Sequence, residues 1–196
     1  MVFHFTDNYK GKPMRVITGT ARGKKLKTLE GQDIRPTSDM VKEAIFSIIQ
    51  FEVPAASVLD LFSGSGQLGI EALSRGAAHC VFVDKSKSSI NVTRQNIERC
   101  GFSDRSRILN LDSLEYLKTG KKGIDIALLD PPYRMGLIEE ALPSLTRILN
   151  PGAVVVCEHE SELTLDDNIA GLKLSKRYRY GKIALSVYRY GEEIGE

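Results

Sequence analysis

The sequence predicts an α/β fold with a mainly parallel sheet, and three observations carry the prediction. Five short apolar runs, at 57–61, 80–84, 106–111, 124–129 and 153–158, alternate with helical segments, the pattern of βαβ units. The first run breaks directly into a glycine-rich turn that opens a helix. Two further strand-like runs, 172–180 and 182–190, meet at Tyr180-Gly181 and predict a closing antiparallel hairpin.

In chain order, residues 1–13 show no periodicity and are expected to be a flexible extension. Residues 14–20, MRVITGT, alternate weakly and predict a short strand. The Arg-, Lys- and Gly-rich stretch after it, ending near Pro36, predicts a surface loop or hairpin arm. A helix follows over 38–50: Thr37 or Ser38 can cap it, Asp39 suits its dipole, and Val41, Ile45, Phe46, Ile48 and Ile49 form an apolar face. Helices are also expected at 68–75, 86–100, 114–118 and 137–149. The second of these turns Ile90, Val92 and Ile97 inward and ends at Gly101, where a C′ glycine belongs. The last stops before Pro151-Gly152. The expected organisation is extension 1–13, basic arm and helix 14–50, and one α/β domain 51–196.

Composition narrows the function classes. The chain has 196 residues, 42% hydrophobic and 27% charged, enough for one globular core. No apolar run approaches the roughly 20 residues of a membrane span, and the N-terminus has no signal-peptide core, so a cytoplasmic location is expected. Cys80, Cys100 and Cys157 lack CxxC spacing and His4, His79 and His159 make no ligand pattern, so neither a disulfide framework nor a metal site is expected. Net charge is only +2, but residues 10–27 carry seven basic side chains and 171–190 carry six, both without an acid. The rest holds 14 bases against all 25 acids, a balance of −11. Basic ends around an acidic middle suggest a footprint for a phosphate backbone.

Two short stretches carry chemistry. In VLDLFSGSGQLG, residues 58–69, Gly64, Gly66 and Gly69 form a G-x-G-x-x-G between strand and helix, letting a nucleotide cofactor approach the backbone. Asp84 ends the next strand, where a carboxylate can take two ribose hydroxyls. The loop by itself fits NAD or S-adenosylmethionine. Asp60 inside D-x-x-x-G-x-G, where it can serve a methionine end, favours the second, as does Asp112 or Ser113, placed to bond an adenine amine. The DPPY stretch, Asp130, Pro131, Pro132 and Tyr133, favours it most. An exocyclic base amine is a poor nucleophile. The Asp130 carboxylate and the Pro131 carbonyl can hold it with its lone pair aimed at a methyl sulfonium, and Tyr133 can stack on the base. Each aspartate could instead cap a helix or start a turn; all four strand ends carrying one is the stronger pattern.

MRVITGTARGKKL, RPTSDMVKEAIFSII, VLDLFSGSGQLGIEALSRGA and LLDPPY, in this order and spacing, resemble the bacterial methyltransferases that modify guanine N2 in 16S ribosomal RNA, the RsmD family. The resemblance spans about residues 14–190. It implies a Rossmann-like class I methyltransferase fold with a seven-stranded sheet, S-adenosyl-L-methionine as donor, a ribosomal RNA guanine as acceptor, and a monomer. It also implies cofactor contacts from Asp60, Phe62, Gly64, Ser65, Gly66, Asp84, Lys85, Asp112, Ser113 and Thr37, and base contacts from Asp130 to Tyr133. RNA would be gripped by the basic arm: Arg15, Arg22, Lys24, Lys25 and Arg35. The family begins near Met14, so residues 1–13 are extra. A compact enzyme without a separate RNA domain fits naked RNA or RNA within an assembled small subunit. A DNA adenine-N6 methyltransferase is the nearest competing expectation, since DPPY serves adenine equally well. A nucleic-acid-binding module without chemistry and an NAD-dependent oxidoreductase stand further off.

Overall fold

The computed structural model describes residues 14–29 and 39–191. Helix α1 (Asp39–Ile48) precedes a run of strands and helices: β1 (Ser57–Asp60), α2 (Gln67–Ser74), β2 (His79–Asp84), α3 (Lys87–Cys100), β3 (Ser106–Asn110), α4 (Ser113–Thr119), β4 (Ile124–Leu129), α5 (Leu137–Leu145), β5 (Leu149–Glu160), β6 (Asn168–Ile169), β7 (Leu172–Tyr180) and β8 (Ile183–Tyr190). They build one sheet in the order β3-β2-β1-β4-β5-β8-β7-β6. The first five strands in that order are parallel, and β8, β7 and β6 are added antiparallel. The order reverses between β1 and β4, so their carboxyl ends flank the crevice where open α/β sheets bind ligands.

Alternation sends side chains to two cores. Val58, Phe82, Ile126, Leu128, Val154 and Val156 pack with α1, α2 and α3 on one face. Leu59, Val83, Ala127, Leu129, Val155 and Cys157 pack with α4 and α5 on the other. Helices covering both faces explain why β1 and β4 read as continuous apolar runs.

Four differences from expectation have physical causes. The sheet has eight strands rather than seven. The extra one, β6, has two residues, too few for a periodic signal, and Ala170 and Gly171, both at positive φ, turn it into β7. Residues 14–20 form no strand; they meet the following turn through one antiparallel bridge, Arg15 to Lys25. Helix α5 ends at Leu145. Its Pro143 has no N–H to donate into the helix. Strand β5 starts at Leu149 and runs through Pro151-Gly152, because the β4–β5 register shifts between Ile124 and Ile126 and accommodates a residue that cannot donate.

Residues 14–29 lie against the α1–α3 face. Met14, Val16, Ala21 and Leu26 are buried in that core. Glu71, wholly buried on α2, accepts from Ile17 N at 2.8 Å and Thr18 N at 3.0 Å. The Lys42 ammonium, buried beneath, donates to the Arg15 carbonyl at 2.6 Å, and burial pushes its pKa down. A stretch that looked like an exposed arm is therefore strapped to the domain by groups whose own burial demands partners.

Candidate active site

The glycine loop is held from below and from both sides. Gly69 N donates to Asp60 Oδ2 at 2.9 Å, and Gly64 N donates to Asp84 Oδ2 at 2.8 Å. Thr93 Oγ1 donates to the Gly64 carbonyl and Asn96 Nδ2 to the Ser65 carbonyl, each at 2.9 Å. These last two are polar residues on the inward face of α3, where apolar spacing pointed to Val92, which is only half-buried. Gly66 has φ 79°, and a Cβ there would lie 2.9 Å from the Thr93 methyl. At Gly69 a Cβ would come within 2.3 Å of the Phe82 ring, so this glycine sets how closely α2 packs on β2.

A cavity of about 490 Å³ opens above this loop at the carboxyl ends of β1, β2 and β4, within the usual size range for small-molecule sites. One wall holds Phe62, Gly64, Asp84, Lys85, Asp112 and Ser113. Asp130, Pro131, Pro132 and Tyr133 line the same cavity. The two stretches singled out in the sequence thus face one space, because β1 and β4 are neighbours in the sheet although two other strands come between them in the chain.

Asp84 accepts from Gly64 N with one carboxylate oxygen and from Ser86 N with the other, at 2.8 Å each. Asp112 lines the cavity but also caps α4, its Oδ1 accepting from Leu114 N at 2.9 Å and Glu115 N at 3.3 Å; the helix-capping alternative is realised there. Asp60 is placed differently from expectation. It is 1% exposed, lies off the cavity wall, and spends its carboxyl on the loop. Burial, then the nearby Asp130 and Asp84 carboxylates, push its pKa up to about 7. Ser65 and Gly66 are also absent from the wall; they shape the turn.

Tyr133 is 40% exposed, and its hydroxyl donates to Glu158 Oε1 at 3.3 Å. Burial, with Glu158 and Asp130 adding to it, holds this phenol well above the ordinary range, so it stays a donor. Beyond it, Arg134 at φ 62° donates its N–H to Glu160 Oε1, fixing the turn into α5. Glu158, 3% exposed on β5 and part of the cavity wall, was not singled out from the sequence. The signal was available: the fifth apolar run also ends in an acid.

Among the basic residues expected to meet RNA, Arg22 and Lys25 are exposed. Arg15 pairs with Asp39 at 3.3 Å. Lys24 turns its ammonium to the carbonyls of Arg99 and Cys100 at the end of α3, at 3.1 and 3.2 Å. Arg35 and Thr37 lie outside the described residues. Among the described residues, no group of three or more His, Cys, Asp or Glu could hold a metal ion, and no helix is long and apolar enough to cross a membrane.

A family model described as conserved hypothetical protein 95 matches residues 14–189. The chain is 36% identical over 166 residues to ribosomal RNA small subunit methyltransferase D of Haemophilus influenzae, covering 82% of this chain and 85% of that one. The chain belongs to the RsmD family. The solved structure of Escherichia coli yhhF superposes on this RsmD-family chain with a TM-score of 0.83 at 29% identity, covering 92% of this chain and 100% of that one. An RNA methyltransferase from Salinibacter ruber, solved with S-adenosyl-L-homocysteine, shares the fold at TM-score 0.63 and 21% identity, covering 82% and 97%.

Proposed function

We propose that this RsmD-family chain methylates the exocyclic N2 of a guanine in small-subunit ribosomal RNA. It is an S-adenosylmethionine-dependent methyltransferase acting on ribosomal RNA. One observation carries the site reading: the DPPY stretch lines the same cavity as Gly64 and Asp84.

The cavity fits the donor. Gly64 leaves open space where a side chain would stand, and Asp84 and Asp112 place carboxylates for hydroxyl and amine hydrogens. When bound, S-adenosylmethionine would supply a methyl group on a sulfonium; transfer would break the sulfur–carbon bond, form a nitrogen–carbon bond and release S-adenosylhomocysteine and one amine proton to solvent. Asp84 would take the ribose hydroxyls while its other lone pairs keep the loop in place. Phe62, Asp112 and Ser113 would hold the adenine. Asp130 and the Pro131 carbonyl accept the two hydrogens of the base amine, turning its lone pair along the transfer line. Tyr133 covers the base face. A paired base cannot enter, so the target is unstacked or flipped. Arg22 and Lys25 follow the phosphate backbone. We assign the protein to the cytoplasm as a monomer, with the RNA presented in an assembled small subunit.

The test is Asp130→Ala. Methyl transfer from labelled donor to small ribosomal subunits should fall at least a hundredfold, while calorimetric affinity for S-adenosylhomocysteine changes by less than about threefold. An unaltered rate refutes the role of Asp130. Wild-type incorporation into DNA adenine and none into ribosomal RNA refutes the substrate.

A further inference from the structure

Glu158 is an acidic side chain, almost wholly buried, on the wall of a cavity that already has an acid for the amine. Its position follows from the sheet. β4 and β5 are parallel neighbours, with Leu128 opposite Val156 and Leu129 opposite Cys157. Leu128 and Val156 lie in the same face cluster. Asp130 lies one residue past the end of β4, and continuing the register by that residue would set it beside Glu158 of β5 on one face of the sheet. Both line the cavity, and Tyr133, the third wall residue, reaches Glu158 Oε1 with its hydroxyl.

We propose that Glu158 is the specificity-determining residue of this site, accepting the N1–H of guanine while Asp130 and the Pro131 carbonyl accept the N2 amine. This inference rests on the guanine-N2 reading above. Guanine presents two adjacent donors on its Watson–Crick edge, the N1 imino hydrogen and the N2 amine. Adenine and cytosine present an amine beside a ring nitrogen that carries a lone pair. Two acidic side chains placed side by side offer acceptors matched to the first pattern. Against the second, seating the amine on Asp130 would bring a lone pair against the carboxylate oxygens of the buried Glu158. Repulsion of the wrong base, as much as attraction of the right one, then sets the choice. A site built to bond a polar hydrogen rejects an analogue lacking it, because its own buried group loses its partner. DPPY by itself serves any base amine; the neighbouring strand supplies what DPPY lacks.

The experiment compares two acceptors in one RNA. Small-subunit ribosomal RNA is assembled into subunits with either guanine or 2-aminopurine at the mapped target position. 2-Aminopurine keeps the N2 amine but has a lone pair at N1. For the wild-type enzyme, kcat/KM should favour guanine by on the order of tenfold to a hundredfold, the range for one hydrogen-bonded base edge. In Glu158→Gln, whose amide can donate to N1, the ratio should collapse to within about threefold or invert. The ratio is taken within one preparation, so the folded fraction cancels. Tyr133→Phe removes the hydroxyl that bonds Glu158 and should keep the wild-type ratio. An unchanged ratio in Glu158→Gln overturns the inference. So does a Tyr133→Phe enzyme that loses discrimination as fully as Glu158→Gln, since Glu158 would then act only by orienting the ring. The wild-type product separates the two readings. If it is N2-methylguanosine and the Glu158→Gln ratio is unchanged, only this inference falls; if it is any other methylated base, both fall.

Discussion

Asp60→Asn tests whether the aspartate inside the glycine motif serves the cofactor or the fold. The side chain is buried, and its Oδ2 accepts from Gly69 N at 2.9 Å. Folding raises its pKa from 3.8 to about 7, chiefly by desolvation. The folded protein therefore binds this proton more tightly than the unfolded chain. Asp60's stabilising contribution is fully present below about pH 4 and is lost as pH rises through about 7. Each pKa unit corresponds to about 1.4 kcal/mol. The rise from 3.8 to about 7 sets an upper limit of about 4 kcal/mol on the stability that ionising Asp60 removes. Asparagine keeps an acceptor for Gly69 N and cannot ionise. The assay is urea unfolding of wild type and variant, without cofactor, at about pH 4.5 and pH 8. The variant should gain on the wild type between those two values, by up to about 3 kcal/mol, since the unfolded carboxyl is already mostly ionised at about pH 4.5. Its affinity for S-adenosylhomocysteine at pH 8 should stay within about fivefold. A stability difference that is the same at both pH values refutes the buried, proton-holding carboxyl. Loss of cofactor binding at unchanged stability would return Asp60 to the role expected from its motif.

Three other outcomes are expected. Gly69→Ala puts a Cβ 2.3 Å from the Phe82 ring and 2.7 Å from Cys80 Sγ, and should cost at least about 1–3 kcal/mol, read as a lowered Tm. Glu71→Ala leaves Ile17 N, Thr18 N and Arg75 without their acceptor and should cost about 3–5 kcal/mol, with faster tryptic cleavage at Arg22 and Lys25; equal cleavage rates would show the strap is held elsewhere. Joint Arg22→Ala and Lys25→Ala should flatten the salt dependence of RNA binding by about 0.7 for each phosphate no longer neutralised, whereas Lys24→Ala, whose ammonium caps α3, should lower stability and leave the salt slope alone.

Much of the site was legible before any fold was known, because its residues are short-range signals. Gly64, Gly66 and Gly69 are read from spacing, and Asp84 and Asp130 from their place at strand ends. What each carboxylate does was less legible. Asp60, Asp84, Asp112 and Asp130 are alike in the sequence, yet Asp60 is buried beneath the loop, Asp112 caps α4, and Asp84 and Asp130 line the cavity. Burial depends on what packs above a residue, and that comes from distant segments. Thr93 and Asn96 were missed for the same reason: on a helix they read as polar, and only packing turns them to the loop carbonyls.

The sequence alone determined the α/β class and singled out the glycine loop and the DPPY stretch, since periodicity and turn chemistry are properties of neighbouring residues. Only the tertiary structure decided that residues 14–29 are strapped to the domain, and that Glu158 and Asp130 line one cavity. Those facts come from β4 pairing with β5 and from α2 meeting the N-terminal segment. Pairings between residues far apart in the chain exist only once the sheet has formed.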